Sequence, residues 1–454
     1  MNLQVNKWLK KVLSYEKKIE YLPSIIKYGC LVGFNGSILE VSGLQLSIGS
    51  ICFIEINTNK NDINEIEAEV IGFKNNIIFL MPLKSIDNVI LGSKVRPKLV
   101  DGINYIVNEL PICTGLLGRV LDSLGRPLDG LKKINKKYKQ TLSYSFINPL
   151  QRTPIVDVLD TGIRAINALL TIGRGQRIGL FSGSGVGKSV LLGMMTKYTK
   201  ADIVVLGLIG ERGREVKEFI ETILTKEARE KSVIIASSAE FSPLLQVKGA
   251  SYAVRISEYF RDEGYHVLLI MDSLTRYAMA HREIALSIGE LPASKGYPPS
   301  VFSKIFSLIE RAGNGKNKNG SITAFYTVLT EEEEKYDPVA DSARSILDGH
   351  IVLSREYAES GHYPAINIEM SISRVMSTIV DSVHDSKARY LKKILSCYQR
   401  NRDLINLGAY VTGTNPELDI AISLLPKIEK FLQQGMHEKS TFFESIRDLY
   451  SILN

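Results

Sequence analysis

Eight consecutive residues, Ser182-Gly183-Ser184-Gly185-Val186-Gly187-Lys188-Ser189, carry the densest chemical signal in the chain. They follow an apolar run, RIGLFSG, and precede a helical pattern, VLLGMMTKY, that opens at Val190. Glycines at this spacing let successive backbone N–H groups curl around phosphate oxygens, with the positive end of a helix behind them. Lys188 would reach β- and γ-phosphates, and the Ser189 hydroxyl would coordinate Mg²⁺. The strict P-loop pattern opens with Gly where this chain has Ser182; a small residue should serve, and Gly183 follows at once. Asp272 closes the run HVLLIM, and a carboxylate at a strand end in a nucleotide-binding sheet points at the metal's outer shell. It could equally cap the helix LTRYAMAHRE, as could Ser273. Glu211, in GLIGERGREV, could orient an attacking water. It could also compensate the dipole of a helix expected over 213–225, where Glu215 lies too. Residue types alone do not separate these readings.

The elements that must hold these residues are legible in the apolar pattern. Runs at 177–183, 203–209, 232–237, 267–272 and 321–328 read as buried strands, most of them separated by helical stretches. Repeated strand–helix units predict a mostly parallel, doubly wound α/β sheet. Residues 25–95 differ: short apolar runs (CLVGF, SILEV, SICFIEI, AEVIGF, NIIFLM) between Gly, Asn and Asp predict a small β-barrel. Residues 96–150 add Gly and Pro punctuation suited to a connector, and 376–454 carry apolar residues at helical spacing. Residues 1–24 read as a basic amphipathic helix stopped by Pro23, with Val5, Trp8, Val12, Tyr15 and Ile19 on one face. Such a helix can dock a partner or an acidic membrane surface, or pack on its own domain. The expected division is therefore a helix at 1–24, a barrel at 25–95, the ATPase-type core at 96–375 and a helical domain at 376–454.

Composition narrows the classes. A chain of 454 residues, 44% hydrophobic and 23% charged, is neither disordered nor short of core material. Its apolar runs fall short of the roughly 18 residues of a membrane span. Lysines crowd the apolar residues at the start, which argues against a signal peptide and for a cytoplasmic protein. Four scattered cysteines and six scattered histidines argue against a disulfide framework or a zinc site. A net charge of +7 is mild for this length and does not mark a nucleic-acid coat. The lysine run at 131–148 reads as a solvated linker, and the Asn- and Lys-rich patches at 57–64 and 314–320 as surface loops.

Taken in order, GLFSGSGVGKS, IGERGREV, LLIMDSLTRYAMAHREI, GYPPSVF, GSITAFYTVL, ILDGHIVLSR and HYPAINIEMSISRVM resemble the type III protein export ATPases, relatives of the rotary ATP synthase subunits. RAGNG, DPVADSARSILDGH and CYQRNRDLINLGAY are more similar to the flagellar branch than to the injectisome branch. The resemblance implies a RecA-like P-loop core and Mg²⁺-dependent ATP hydrolysis. It implies that Ser182 through Val190 cradle the nucleotide, that Ser189 and Asp272 serve the metal, and that Glu211, followed by Arg212, activates water. It further implies that Tyr363 packs on adenine, against the alternative of a core tyrosine. Arg374, which by chemistry alone would be a salt-bridge residue, matches the arginine finger that reaches a neighbour's γ-phosphate. Residues 288–300 resemble the segment lining a central pore.

In the rotary synthases the catalytic glutamate and the finger arginine are divided between two subunit types, whereas this chain carries both, which implies a homohexamer. The implied partners are flagellar export apparatus proteins, a regulatory stator-like protein on the N-terminal helix, export substrates and chaperones, with peripheral contact to acidic membrane at the inner face of the cytoplasmic membrane. The competing readings are an injectisome ATPase, a proton-coupled synthase β subunit and a hexameric RNA motor. The last would need exposed aromatic and basic residues on its barrel, but the aromatic residues of 25–95 sit mostly within apolar runs. No nucleic acid is therefore expected as a partner.

Overall fold

The computed structural model describes residues 8–9, 11–12, 14–15, 27–59, 62–84, 86, 89–100, 104–105, 109–135, 139–142, 147–316, 320–330 and 337–453. Most of the expected 1–24 helix lies outside them; the six described residues there are helical.

Six antiparallel strands, Gly29–Asn35, Ile38–Ser42, Ile51–Asn59, Asp62–Lys74, Ile77–Pro82 and Lys94–Pro97, form a closed barrel. Alternate residues point inward by the two-residue period of a strand. Leu39, Val41, Cys52, Ile54, Ala68, Val70, Ile78 and Leu80 fill the interior. In the patch 57–64, expected as a loop, residues 57–59 and 62–64 instead belong to the paired ends of two long strands, with Asn57 opposite Ile63 and Ile56 opposite Asn64.

The central sheet runs, in spatial order, Val120–Leu121, Ser232–Ser238, Ile203–Glu211, His266–Asp272, Ser321–Leu329, Arg177–Ser182, Gly349–Leu353 and Ile366–Ser373. All neighbours along this path are parallel except the last pair. The middle strands are buried on both faces, as a sheet covered by helices on each side requires. On one face Leu180, Leu206, Leu268 and Ile270 belong to one apolar cluster with Leu191, Leu192 and Met195 of the helix Lys188–Tyr198, and the cluster extends to Leu391, Leu395, Leu418, Ile428 and Leu449 of the C-terminal helices Ser382–Asn406, Pro416–Leu432 and Phe442–Leu453. On the other, Val205, Ile209, Leu269 and Met271 pack under helices Pro243–Asp262, Leu274–Ser287 and Pro299–Glu310. The barrel is tied to this layer by a buried ion pair between Glu69 and Lys248.

Three further local expectations change. Asn314, in the patch expected as a surface loop, is buried and its amide donates to the carbonyls of Thr153 and Pro154, each at 3.0 Å. The expected 213–225 helix is a short helix, Gly213–Glu218, that widens into a π turn over Phe219–Ile223. Strands Gly349–Leu353 and Ile366–Ser373, which the apolar pattern did not mark, extend the sheet beyond the P-loop strand.

Candidate active site

Seven parallel strands point their C-terminal ends to one edge of the sheet, and the phosphate-type loop springs from the strand Arg177–Ser182 there. Gly185 (φ 77°) and Gly187 (φ 83°) both adopt the left-handed conformation that favours glycine. Gly187 caps the helix Lys188–Tyr198, so that helix's free N–H groups face the loop. A side chain on Gly185 would meet nothing within 4 Å, so the space over the loop is open to a ligand. Ser182, in place of the usual glycine, is buried, and its hydroxyl has no partner among the described residues. Val186 is buried beneath the loop.

Lys188 sits between two carboxylates, with Nζ 2.6 Å from Asp272 Oδ1 and 3.4 Å from Glu211 Oε1. The pairing follows from strand order. The Glu211 and Asp272 strands are neighbours, and Leu208 lies opposite Asp272. Burial lowers the Lys188 pKa, but Asp272 and Glu211 outweigh it, so the ammonium stays charged. Burial and the nearby Asp272 push Glu211 up to about 7, against the opposing pull of Lys188. A phosphate entering the loop would compete with both carboxylates for this ammonium. Thr327 Oγ1 donates to Asp272 Oδ1 at 2.6 Å from the next strand. Nothing in the sequence drew attention to Thr327; the signal lay in its place near the end of the run SITAFYTVL. Ser189, exposed on the first helical turn, and Asp272 make an all-oxygen donor pair. That set fits Mg²⁺, which takes few protein ligands and completes its shell with water and phosphate oxygens.

Tyr363 also reaches the loop. A Cβ on Gly187 would lie 3.2 Å from its ring, and the ring is 45% exposed. Its backbone carbonyl accepts from the Gln434 N–H at 2.9 Å. The half-open ring borders a cleft of about 800 Å³ that Phe431, Gln433 and Gln434 also line. A tyrosine so exposed is not a core residue.

Two residues stand apart. Arg212 follows Glu211, but its side chain is 82% exposed and its guanidinium faces Glu215 at 3.9 Å. Arg374 lies at the other end of the sheet. Its strand is antiparallel: Ser373 pairs with Gly349, His350 with Gly179, and the P-loop begins only after Ser182. At about 3.3 Å per residue, the four-residue offset from Ile178 to Ser182 is about 13 Å along the strands, before any sideways separation. Arg374 donates instead to the Arg344 carbonyl at 3.4 Å. It borders a cavity of about 330 Å³ with Asp385, Arg389 and Lys392. Burial lowers Lys392 to about 8, against the pull of Asp385. The structure thus joins Lys188, Glu211, Asp272, Ser189 and Tyr363, and leaves Arg374 outside that group.

Comparison with known proteins agrees with this architecture. The family model for the ATP synthase alpha/beta family, nucleotide-binding domain, matches residues 162–373. The model for the T3SS EscN ATPase C-terminal domain matches residues 380–451. The flagellum-specific ATP synthase of Buchnera aphidicola subsp. Baizongia pistaciae is 64% identical over 454 residues, covering 100% of both chains. The assembled ATPase EscN from the enteropathogenic E. coli type III secretion system superposes with a TM-score of 0.86 at 40% identity, over 94% of this chain and 100% of that one. EscN in complex with its central stalk EscO gives a TM-score of 0.83 at 39% identity, with the same coverage. With a P-loop, a strand-end carboxylate pair and full-length similarity of this degree, the chain belongs to the flagellum-specific ATP synthase family, the ATPases of type III export.

Proposed function

We propose that this ATPase works with Mg²⁺ as one subunit of a homohexameric ring, and that its turnover energises export of flagellar proteins. The observation that carries the reading is the division of the machinery between the two ends of one sheet. Lys188, Glu211 and Asp272 converge at one end, and Arg374 projects from the other. A complete site then takes Arg374 from the next subunit. The assembled state named for EscN supports a ring.

Each group has a task at that interface. Lys188 leaves its carboxylates for the β- and γ-phosphates, and the backbone N–H groups of 183–189 surround them. Bound Mg²⁺ supplies charge neutralisation at the phosphate oxygens, with Ser189 and Asp272 as its protein-side donors. Glu211, held near neutrality, is placed to orient water and accept its proton. Tyr363 offers its ring to adenine. Arg212, in its exposed position, belongs to the same loop and would reach the site only through a neighbour or a loop movement. Arg374 of the adjacent copy meets the charge that develops on the transferred phosphoryl.

The wider assignment follows the family. The named central stalk of EscN makes a stalk partner the first candidate at the ring axis. A stator-like regulator on the N-terminal helix, export substrates with their chaperones, other apparatus proteins, and a peripheral cytoplasmic position against acidic membrane complete the proposal. No helix among the described residues is long and apolar enough to cross a membrane. The higher identity to a flagellum-specific relative than to EscN favours the flagellar apparatus over the injectisome.

Mixing tests the central claim. Arg374→Ala and Glu211→Gln should each be inactive, and mixed rings should regain part of the turnover, since some interfaces then pair an intact arginine with an intact glutamate. Light scattering must confirm mixed rings. Full activity of a monomeric preparation would overturn the shared site.

A further inference from the structure

Gly193 lies in the interior of the P-loop helix Lys188–Tyr198, where alanine would be the more stable choice. It is buried, and its missing side chain is the seat of another residue. A Cβ there would overlap Ile223 Cγ2, while Ile223 Cβ stands at 3.5 Å and the Ile223 carbonyl oxygen at 4.0 Å. Ile223 is the last residue of the π turn Phe219–Ile223. That turn ends the segment that begins with Glu211 and Arg212 and runs through the helix Gly213–Glu218. The segment is weakly held: none of residues 213–218 is buried, and Phe219 is the buried residue of the π turn. Its far end is therefore anchored on the P-loop helix by Phe219, Ile223 and the next residue, Leu224, which belong to or pack against the same apolar cluster as Leu191 and Leu192.

We propose that the seating of Ile223 on Gly193 is a positioning contact that sets Glu211 relative to Lys188. The contact joins the two elements that carry them, by a path separate from the sheet. Ile223 is β-branched, and its Cγ2 cannot swing away freely about χ1. A methyl at position 193 must then displace backbone. The P-loop helix is the firmer side, with Leu191, Leu192, Met194 and Met195 buried. The exposed 212–223 segment is the side that yields, carrying the Glu211 strand end with it. A misplacement of about 1 Å in a catalytic group can lower a rate by about 100-fold. Nucleotide binding depends on the loop, so its affinity should be kept.

The inference rests on Glu211 as the water-activating carboxylate, so Glu211→Gln is measured in parallel in the assembled ring. Gly193→Ala should lower kcat by about 10- to 100-fold with KM and nucleotide affinity within about twofold. Gly193→Ala/Ile223→Ala removes Cγ2, the atom the new methyl would overlap, and should restore most of kcat. Gly193→Ala/Ile223→Val keeps the β-branch at that contact and should restore nothing. If Gly193→Ala does not fold, Ile223→Ala alone carries the test and should reduce kcat, with recovery in the double alanine variant. Wild-type kcat in folded Gly193→Ala, or in Ile223→Ala, overturns the contact's role, as does a kcat loss that the double alanine variant leaves in place. Near-normal turnover of Glu211→Gln would instead remove the catalytic reading beneath it.

Discussion

The two ends of the central sheet are built differently. At the C-terminal end of the parallel strands, Lys188, Glu211, Asp272 and Thr327 form a closed network of charge and hydrogen bonds within one chain. At the opposite end Arg374 donates one long bond to a carbonyl and shares a cavity with Asp385, Arg389 and Lys392, where Asp385 is already paired with Arg389 at 2.7 Å. A preorganised cluster of opposite charges can bind a nucleotide by itself. Arg374, without a carboxylate partner of its own among the described residues and away from its own phosphate loop, is on the proposed reading half of a site. If Arg374 serves a neighbour as proposed, binding belongs to the protomer and turnover to the assembly.

Substitutions at each end should break function in different ways. Lys188→Ala should abolish both nucleotide binding and turnover; unchanged hydrolysis by the purified variant would remove the P-loop assignment. Arg374→Ala should keep nucleotide affinity and lose turnover by roughly 10³- to 10⁵-fold, as expected for a finger arginine. An equilibrium titration beside a phosphate-release assay distinguishes the two, and loss of affinity at Arg374 would erase the contrast.

Glu211→Gln sharpens it from within the protomer. Size and polarity are kept while the carboxylate is lost, so binding should persist and turnover should drop by about 10²-fold or more. The same residue sets a pH dependence. Its pKa is raised to about 7, by burial and by Asp272, and the base form is the deprotonated one. Thus kcat/KM should rise with pH and level off above about 7, about tenfold per unit on the acid side. A profile flat from pH 5 to 8, away from unfolding, would count against Glu211 as the base.

The smallest effect belongs to Tyr363. Aromatic contacts contribute about 0.5–1.5 kcal/mol beyond area, so Tyr363→Leu should raise KM by about 2- to 10-fold with kcat little changed. A kcat effect larger than the KM effect would place Tyr363 in the chemistry instead.

The parts legible from sequence were those set by short-range geometry. The Ser182–Ser189 loop is readable because left-handed backbone at two positions demands glycine and because a buried strand precedes it. The strands at 203–211, 266–272 and 321–329 are readable because double-sided burial leaves continuous apolar runs. Glu211 remained open between two roles on residue type alone, since a helix-end charge and a catalytic carboxylate share one local pattern.

By itself, the sequence determined the phosphate loop, the strand-end carboxylates and the sheet that holds them, because each depends on residues within about ten positions of one another. Only the tertiary structure decided which of them meet. Strand order put Asp272 and Glu211 on neighbouring strands, both within reach of Lys188, and brought Thr327 to Asp272. The reversal of the Ile366–Ser373 strand sent Arg374 to the far end. The seat of Ile223 on Gly193 joins positions 30 residues apart through a space that only a missing side chain leaves. The apolar runs marked the sheet as mostly parallel, but the spatial order of its strands and the packing between distant elements are long-range choices, fixed by which apolar faces bury each other.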